Sequence, residues 1–156
     1  MSEFDIYPLF EKWVSKRCEY VFSRVKPKRC NNIEFDIVGV SYKWENRKDF
    51  RTLTSIEVKE TDFDKCYQQA LKRKEFCEYC YMAFPLDFVG FVIYKIGERF
   101  DEIRKNRIGV LFCDNRCENR VWSVLYAGMN RKVKEEQKDL LMRELDYNKL
   151  IKNEYK

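Results

Sequence analysis

The chain has 156 residues, which is long enough for one domain with a single substantial core. Hydrophobic residues make up 45% and charged residues 37% of it, which excludes a disordered chain, and no apolar run reaches the roughly 20 residues that a membrane helix needs. The net charge of +5 is spread thinly along the chain, so it permits a polyanionic partner without requiring one.

Two absences narrow the function further. The chain has no histidine, which excludes histidine-dependent triads and histidine-ligated metal sites. The N-terminal stretch MSEFDIYPLF lacks a basic region followed by an apolar one, so no secretory signal is predicted, and we expect a cytoplasmic protein with no membrane partner. No repeat or linker interrupts the sequence, which predicts one domain over residues 1–156.

The first 60 residues predict a helix followed by a β-hairpin. Residues 5–26 place apolar side chains at helical spacing, and Pro27 ends this amphipathic helix. Residues 33–44 are rich in β-formers and carry apolar residues on both faces, which is typical of a central strand. The polar turn ENRKD then leads into a return strand over residues 50–59.

The middle of the chain predicts a strand–helix–strand unit. Thr61 is the predicted N-cap of a helix that runs through to Cys77, followed by a short buried strand over residues 79–84. A helix between two strands favours parallel pairing with a right-handed crossover, here between residues 50–59 and this new strand. A further helix is predicted from Phe88 to about residue 105.

The last third predicts two strands and a charged helix. Residues 108–114 form a buried strand, residues 120–126 are expected to pair beside it, and residues 131–156 read as an amphipathic helix packed on the domain or extending from it. The predicted class is therefore α/β, with one central mixed sheet flanked by helices.

Seven cysteines include two closely spaced pairs. Cys77 and Cys80 lie in CEYC, and Cys113 and Cys117 lie in CDNRC, so four thiolates could hold zinc or an iron–sulfur cluster if the two segments met in space. The pairs lack a glycine-rich knuckle, and two of the four residues lie in apolar strands. Free buried cysteines that pack as small hydrophobes are the favoured interpretation.

The charged residues of SIEVKE (residues 55–60) are unusual in a buried strand. Glu57 and Lys59 point to the same face because side chains alternate along a strand. Asp36 lies in the apolar strand before them, with Glu34 on its face, and the hairpin can bring Asp36 across from Glu57 or Lys59. Buried carboxylates need a cation, and paired carboxylates suit Mg²⁺ or Mn²⁺. The alternative is an ordinary salt bridge on a solvated face.

These segments resemble the PD-(D/E)XK nuclease superfamily, in particular its small Holliday-junction resolvase-like and MmcB-like DNA-repair members. The residues that carry the resemblance are FDIVGV (35–40), IEVK (56–59), QQALKRKEFCEYCYMAF (68–84) and IGVLFCD (108–114), which span about half of the chain. The resemblance implies a restriction-endonuclease-like core. Two features depart from the family pattern: Phe35 stands where the motif's name has proline, and no first strand is evident before Asp36.

The resemblance also implies residue roles. Asp36 and Glu57 would hold Mg²⁺ or Mn²⁺ together with the main-chain carbonyl of Val58, and Lys59 would orient the attacking water or stabilise charge on the phosphate. Family members often carry a glutamine on the helix after the E-x-K strand, and Gln69 best fits that place, with Gln68 as the fallback.

An accessory acid is the weakest of the implied positions. The first helix of such proteins often contributes a glutamate, for which Glu19 and Glu11 are candidates, and Glu34 is a further one.

Basic residues flank the proposed cleft on both sides. They lie before the Asp36 strand and on the helix after Glu57, where they could contact phosphates, although each could also simply solvate a surface. The residues are Arg24, Lys26, Lys28, Arg29, Lys72, Arg73 and Lys74.

Three functional hypotheses follow. The first is a metal-dependent nuclease that acts on nucleic acid, preferentially DNA, in repair, recombination or restriction. A homodimer is a possible form of such an enzyme. The second is a nuclease-like DNA-binding or assembly module without catalysis, in which the charged residues form a structural ion-pair network. The third, an unrelated α/β domain, holds if the carboxylates of Asp36 and Glu57 lie far apart.

Overall fold

The computed structural model describes residues 3–30, 32–45, 48–114 and 120–145. In chain order its elements are α1 (Glu3–Ser15), β1 (Tyr20–Val25), β2 (Phe35–Glu45), β3 (Lys48–Val58), α2 (Phe63–Lys72), a 3₁₀ turn (Arg73–Glu75), β4 (Tyr79–Pro85), a second 3₁₀ turn (Leu86–Phe88), α3 (Val89–Glu98), α4 (Phe100–Lys105), β5 (Gly109–Asp114), β6 (Arg120–Leu125) and α5 (Glu135–Arg143).

The described strands form one mixed sheet in the order β1-β2-β3-β4-β5-β6. Antiparallel pairing joins β1 to β2 and β2 to β3, and parallel pairing joins β3 to β4 and β4 to β5. The last strand, β6, pairs antiparallel with β5. The predicted α/β class, the hairpin and the parallel strand–helix–strand unit are therefore confirmed.

Different helices cover the two faces of the sheet. On one face α2, α3, α4 and α5 bury side chains such as Phe63 and Leu141 against the strands. On the other face α1 buries Phe10 and Val14. This helix approaches the backbone of β2 so closely that a Cβ added at Gly39 would lie 2.5 Å from Val14 Cγ1. The sheet therefore has a core on each side.

The prediction of one helix over residues 5–26 is wrong in its second half. The helix ends at Ser15, and residues 20–25 form the edge strand β1 that the sequence did not reveal. Val21 packs on the α1 face of the sheet and Phe22 on the opposite face. Apolar residues on both faces of a strand break the usual alternation, and their spacing then also fits a helix.

Two helix boundaries also differ from the prediction. Asp62, rather than Thr61, caps α2, because its side chain accepts a hydrogen bond from the Lys65 N–H at 3.1 Å. The helix predicted from Phe88 onward is two helices, α3 and α4, which meet at Arg99.

The C-terminal part of the chain agrees with the prediction in type but not in extent. The helix predicted from residue 131 begins at Glu135 and ends at Arg143, and residues 146–156 lie outside the described part of the chain. The strands predicted over 79–84, 108–114 and 120–126 are confirmed to within a residue at each end.

Candidate active site

A polar cleft of about 620 Å³ lies at the end of the sheet where β2 begins and β3 ends. It extends from α1 to α2, and its walls include Asp36, Lys59 and Gln69. Arg24 and Lys72 also line it. The cleft therefore combines carboxylate, amide and cationic groups contributed by strands and helices that are distant in sequence.

The register of the hairpin brings the two predicted carboxylates together. Ile37 pairs with Ile56, and continuing this register by one residue places Asp36 directly opposite Glu57. Asp36 is half-buried, and its Oδ2 accepts a hydrogen bond from the Val58 N–H at 2.8 Å. The N–H and C=O of one residue in a strand point to the same side, so the Val58 carbonyl also faces the Asp36 side.

Glu57 is a buried carboxylate with a cation and an anion beside it. Its side chain is 1% exposed, and its Oε1 lies 2.9 Å from Arg73 Nε. Burial and the neighbouring Asp36 carboxylate raise the pKa of Glu57 well above its usual range, although Arg73 and Lys59 act to lower it. The Arg73 cation therefore only partly offsets the effects of burial and of Asp36 on Glu57.

Arg73 is held rigidly at the base of the site. Its guanidinium donates to the main-chain carbonyl of Gln69 at 3.0 Å and to that of Glu34, in addition to its ion pair with Glu57. It also lies 5.4 Å from the centroid of the Phe35 ring. With 4% of its surface exposed, Arg73 joins α2, β2 and β3 through one permanently charged group.

Lys59 and Gln69 complete the group that the sequence predicts. Lys59 follows the last residue of β3 and is half-buried on the cleft wall. Gln69 lies on α2, and its Oε1 is buried without a hydrogen-bond partner among the described residues. Because an unpaired buried polar atom is costly, this oxygen is suited to receive a donor from water or from a ligand in the cleft. The fallback residue, Gln68, is exposed.

The three candidate accessory acids lie at different positions in the structure. Glu34 lines the cleft. Glu11 is buried under the sheet, where its Oε1 accepts from the Ser23 hydroxyl, which also lies 3.4 Å from the main-chain carbonyl of Asp36. Glu19 is exposed and accepts from the Tyr42 N–H at 2.9 Å, six residues along β2 from the proposed site. Of the two glutamates suggested on the first helix, only Glu11 lies on it and near the site.

The predicted phosphate-contacting residues fall into three groups. Arg24 and Lys72 are exposed on the cleft wall, whereas Arg73 is committed to the buried contacts described above. Lys74 is also buried and donates to Asn106. Three more follow β1 and do not line the cleft: Lys26, Lys28 and Arg29, the last of which lies 3.7 Å from Glu144.

The role of Arg73 as a buried ion partner is the feature that sequence reasoning missed. The run KRK is typical of a solvated helix face and predicts an exposed cation at Arg73. Its position in the 3₁₀ turn after α2 directs it into the sheet instead. The helix predicted to run through to Cys77 ends at Lys72, so Arg73 does not continue the solvated face of α2.

The donor set fits a hard divalent cation with few protein ligands. Mg²⁺ is commonly bound through one or two carboxylates, with water and substrate oxygens completing the octahedron. Asp36 and Glu57 supply two carboxylates, and the Val58 carbonyl is a third oxygen. Within the described residues, no group of three or more acidic or cysteine side chains is placed to hold a metal ion.

The cysteines give no support to a thiolate site. Cys77, Cys80 and Cys113 are buried in the core, where burial raises the pKa of each thiol. Cys117 lies outside the described residues.

Comparison with known proteins adds no family assignment. No protein-family model matches the chain, and a search of curated proteins finds no similar protein. Among the described residues, no helix combines the length and the apolarity needed to cross a membrane. The functional interpretation therefore depends on the site itself.

Proposed function

We propose that this protein is a metal-dependent nuclease with a restriction-endonuclease-like core, which hydrolyses phosphodiester bonds of nucleic acid and preferentially of DNA. The observation that carries the proposal is the meeting of Asp36 and Glu57 on adjacent strands, with Lys59 and Gln69 on the walls of the same cleft. A solvated salt bridge does not account for it, because Glu57 is almost fully buried.

The arrangement of the strands supports the same interpretation. The antiparallel pair β2–β3 carries the acids, α2 follows, and β4 then pairs parallel to β3. This is the order of motifs on which the resemblance to the PD-(D/E)XK superfamily rests. The edge strand β1 precedes Asp36, in a part of the chain where the sequence shows no evident strand, and its presence supports the resemblance.

The residues of the cleft wall, and Glu57 and Val58 behind it, have separate tasks in the proposed reaction. Asp36, Glu57 and the Val58 carbonyl would hold Mg²⁺ or Mn²⁺, which supplies Lewis acidity and neutralises phosphate charge when bound. The Lys59 ammonium orients a water molecule or stabilises negative charge that develops on the phosphate. The orphan oxygen of Gln69 accepts a hydrogen bond from that water, while Arg24 and Lys72 hold the flanking phosphates.

Cleavage of plasmid and branched DNA in Mg²⁺ or Mn²⁺ tests the proposal. We expect the wild-type protein to cut, Asp36→Asn to abolish cleavage, and Lys59→Ala to reduce the rate by a factor of about 10² or more. Asparagine keeps an oxygen that can accept from the Val58 N–H, so the first substitution preserves the strand contact.

The matched control is Gln68→Ala beside Gln69→Ala. Both are substitutions of a helical glutamine on α2, but only the second removes a group from the cleft. The proposal requires a loss of rate for Gln69→Ala alone. It fails if wild-type protein is inert on varied DNA and RNA substrates, or if the Asp36 and Lys59 variants cut as fast as wild type.

One observation favours a second function, that of a nuclease-like binding or assembly module without catalysis. Arg73 Nε lies 2.9 Å from Glu57 Oε1, so a protein cation occupies one oxygen of the proposed metal ligand. In this alternative the guanidinium replaces the metal permanently, and the acids are structural.

Titration with Mn²⁺ distinguishes the two functions. A catalytic site binds Mn²⁺ in a calorimeter and loses that binding in Glu57→Gln. A structural ion-pair network shows no Mn²⁺ heat in either protein, with nucleic-acid binding unchanged by chelator.

A further inference from the structure

A second cationic surface lies outside the candidate active site. It is a groove of about 340 Å³ between α1 and the beginning of β6, named here the basic α1 groove. Its cations are Lys12, Lys16, Arg17 and Arg120, and its other lining residues, among them Trp13, are apolar. The groove differs from the catalytic cleft, where carboxylates accompany the cations.

The two lysines of the groove place like charges on one surface. Lys12 lies in the last turn of α1 and Lys16 directly follows the helix, and both are exposed and line the groove, where like charges repel. Within the described residues neither lysine has an ion pair. A lysine elsewhere on the surface does, since Lys134 lies 3.0 Å from Glu75. An anionic ligand would relieve this repulsion.

Arg17 is already positioned for such a ligand. Its guanidinium lies 3.8 Å from the centroid of the Trp13 ring, and its Nη1 donates to the Trp13 carbonyl at 3.0 Å. A guanidinium has five N–H donors, and this is the only one that donates a hydrogen bond within the described residues. The remaining donors are held in a fixed plane without further loss of side-chain entropy on binding.

The spacing of the cations suits a polymer with repeated negative charge. Lys12 in the last turn of α1 and the two residues that follow the helix, Lys16 and Arg17, line the same groove. The same helix also lines the catalytic cleft, through Tyr7, and the distance along α1 from Tyr7 to Lys12 is about 8 Å. At about 3.4 Å per nucleotide along a strand, roughly two nucleotides cover this distance.

We infer that the basic α1 groove binds the phosphodiester backbone of nucleic acid outside the catalytic cleft. The choice of nucleic acid as the polyanion rests on the proposed function, whereas the cationic site itself rests on the groove. Such contacts are to phosphates, so they add affinity without base specificity and weaken as salt rises.

Fluorescence anisotropy with a labelled 20-nucleotide single strand and the matching duplex, in EDTA to prevent turnover, tests this inference. We expect Lys12→Ala/Lys16→Ala to weaken binding at least tenfold at low salt. For the single strand, the slope of log K against log salt should become shallower by about 1.4, which corresponds to two lost phosphate contacts.

The control is Arg104→Ala/Lys105→Ala, which removes two exposed cations from α4 on the opposite face of the sheet. It should bind as wild type does, and both double variants should melt within a few degrees of wild type because their side chains are exposed. Equal binding by the Lys12/Lys16 variant and wild type would overturn the inference. So would wild-type protein that binds phosphatidylserine vesicles but no oligonucleotide.

These outcomes are separate from the test of catalysis. If no metal supports cleavage but the Lys12/Lys16 variant still loses affinity, the nuclease proposal fails and the groove stands. If Asp36→Asn abolishes cleavage while the Lys12/Lys16 variant binds as wild type does, the nuclease proposal stands and the groove inference fails.

Discussion

Two buried glutamates, Glu57 on β3 and Glu78 just before β4, are each paired with a buried cation, yet their surroundings differ. Glu57 lies 2.9 Å from Arg73 at the end of the strand that faces the cleft. Glu78 precedes β4 and pairs with Lys138 of α5, and its second oxygen accepts from the Leu53 N–H at 2.7 Å. Both side chains are more than nine-tenths buried.

The two carboxylates differ in the groups that face their oxygens. Both oxygens of Glu78 face donors, and Lys138 is satisfied in turn because it also donates to the carbonyl of Arg51. Glu57 faces a second carboxylate, and its pKa is raised well above the usual range by burial and by Asp36. A satisfied pair is what a structural role requires, whereas an acid kept beside another acid at a cleft is typical of a functional site.

The largest effect is expected from breaking the satisfied pair. Glu78→Ala leaves Lys138 buried without its partner and removes the acceptor of the Leu53 N–H, so it should lower the free energy of unfolding by about 3–5 kcal/mol. Urea denaturation measures the loss. The control, Glu75→Ala, breaks the exposed pair with Lys134 and should cost less than about 1 kcal/mol. Similar losses in both variants would mean that the buried pair has no special role.

A smaller loss is expected from Arg73→Met. The substitution removes donors to two main-chain carbonyls, which should cost about 1–3 kcal/mol, but Glu57 can bind a proton rather than remain as an unpaired charge. Without Arg73 the pKa of Glu57 rises further, so the variant should lose stability more steeply than wild type between pH 5 and pH 8. A loss as large as that of Glu78→Ala and independent of pH would contradict the comparison.

The smallest effect is expected from Glu57→Gln. An acid whose pKa is raised in the folded state contributes stability that is complete below the ordinary carboxyl pKa of 4.5 and is lost as the pH rises through the raised value. At pH 5 the variant should lie within about 1 kcal/mol of wild type, because glutamine resembles the protonated acid. By pH 8 it should have gained stability relative to wild type. Urea denaturation curves from pH 5 to pH 9 that run parallel for the two proteins would exclude a raised pKa.

The parts of the candidate site that could be predicted depend on local rules. Alternation along a strand places Glu57 and Lys59 on one face, and a hairpin returns the chain beside Asp36. The position of Gln69 needed the resemblance to a known family, since a helical glutamine has no pattern of its own.

The parts that could not be predicted depend on contacts between distant elements. The partner of Glu57 is set by how the turn after α2 packs on the sheet, and Glu78 meets Lys138 across 60 residues of sequence. The pattern of residues 20–25 predicts helix rather than strand because Val21 and Phe22 are buried on opposite faces of the sheet, which removes the alternation that marks a strand.

The sequence by itself determined the class of the fold, the hairpin, the parallel unit and the presence of acids where a buried strand should be apolar. These follow from side-chain periods of 2 and 3.6 and from turn chemistry, which act over a few residues. Only the tertiary structure decided which cation each buried acid meets, that β1 forms the edge of the sheet, and that α1 borders both the cleft and the basic α1 groove. Packing of helices onto a sheet brings together residues far apart in the chain, and no local pattern records which of them will meet.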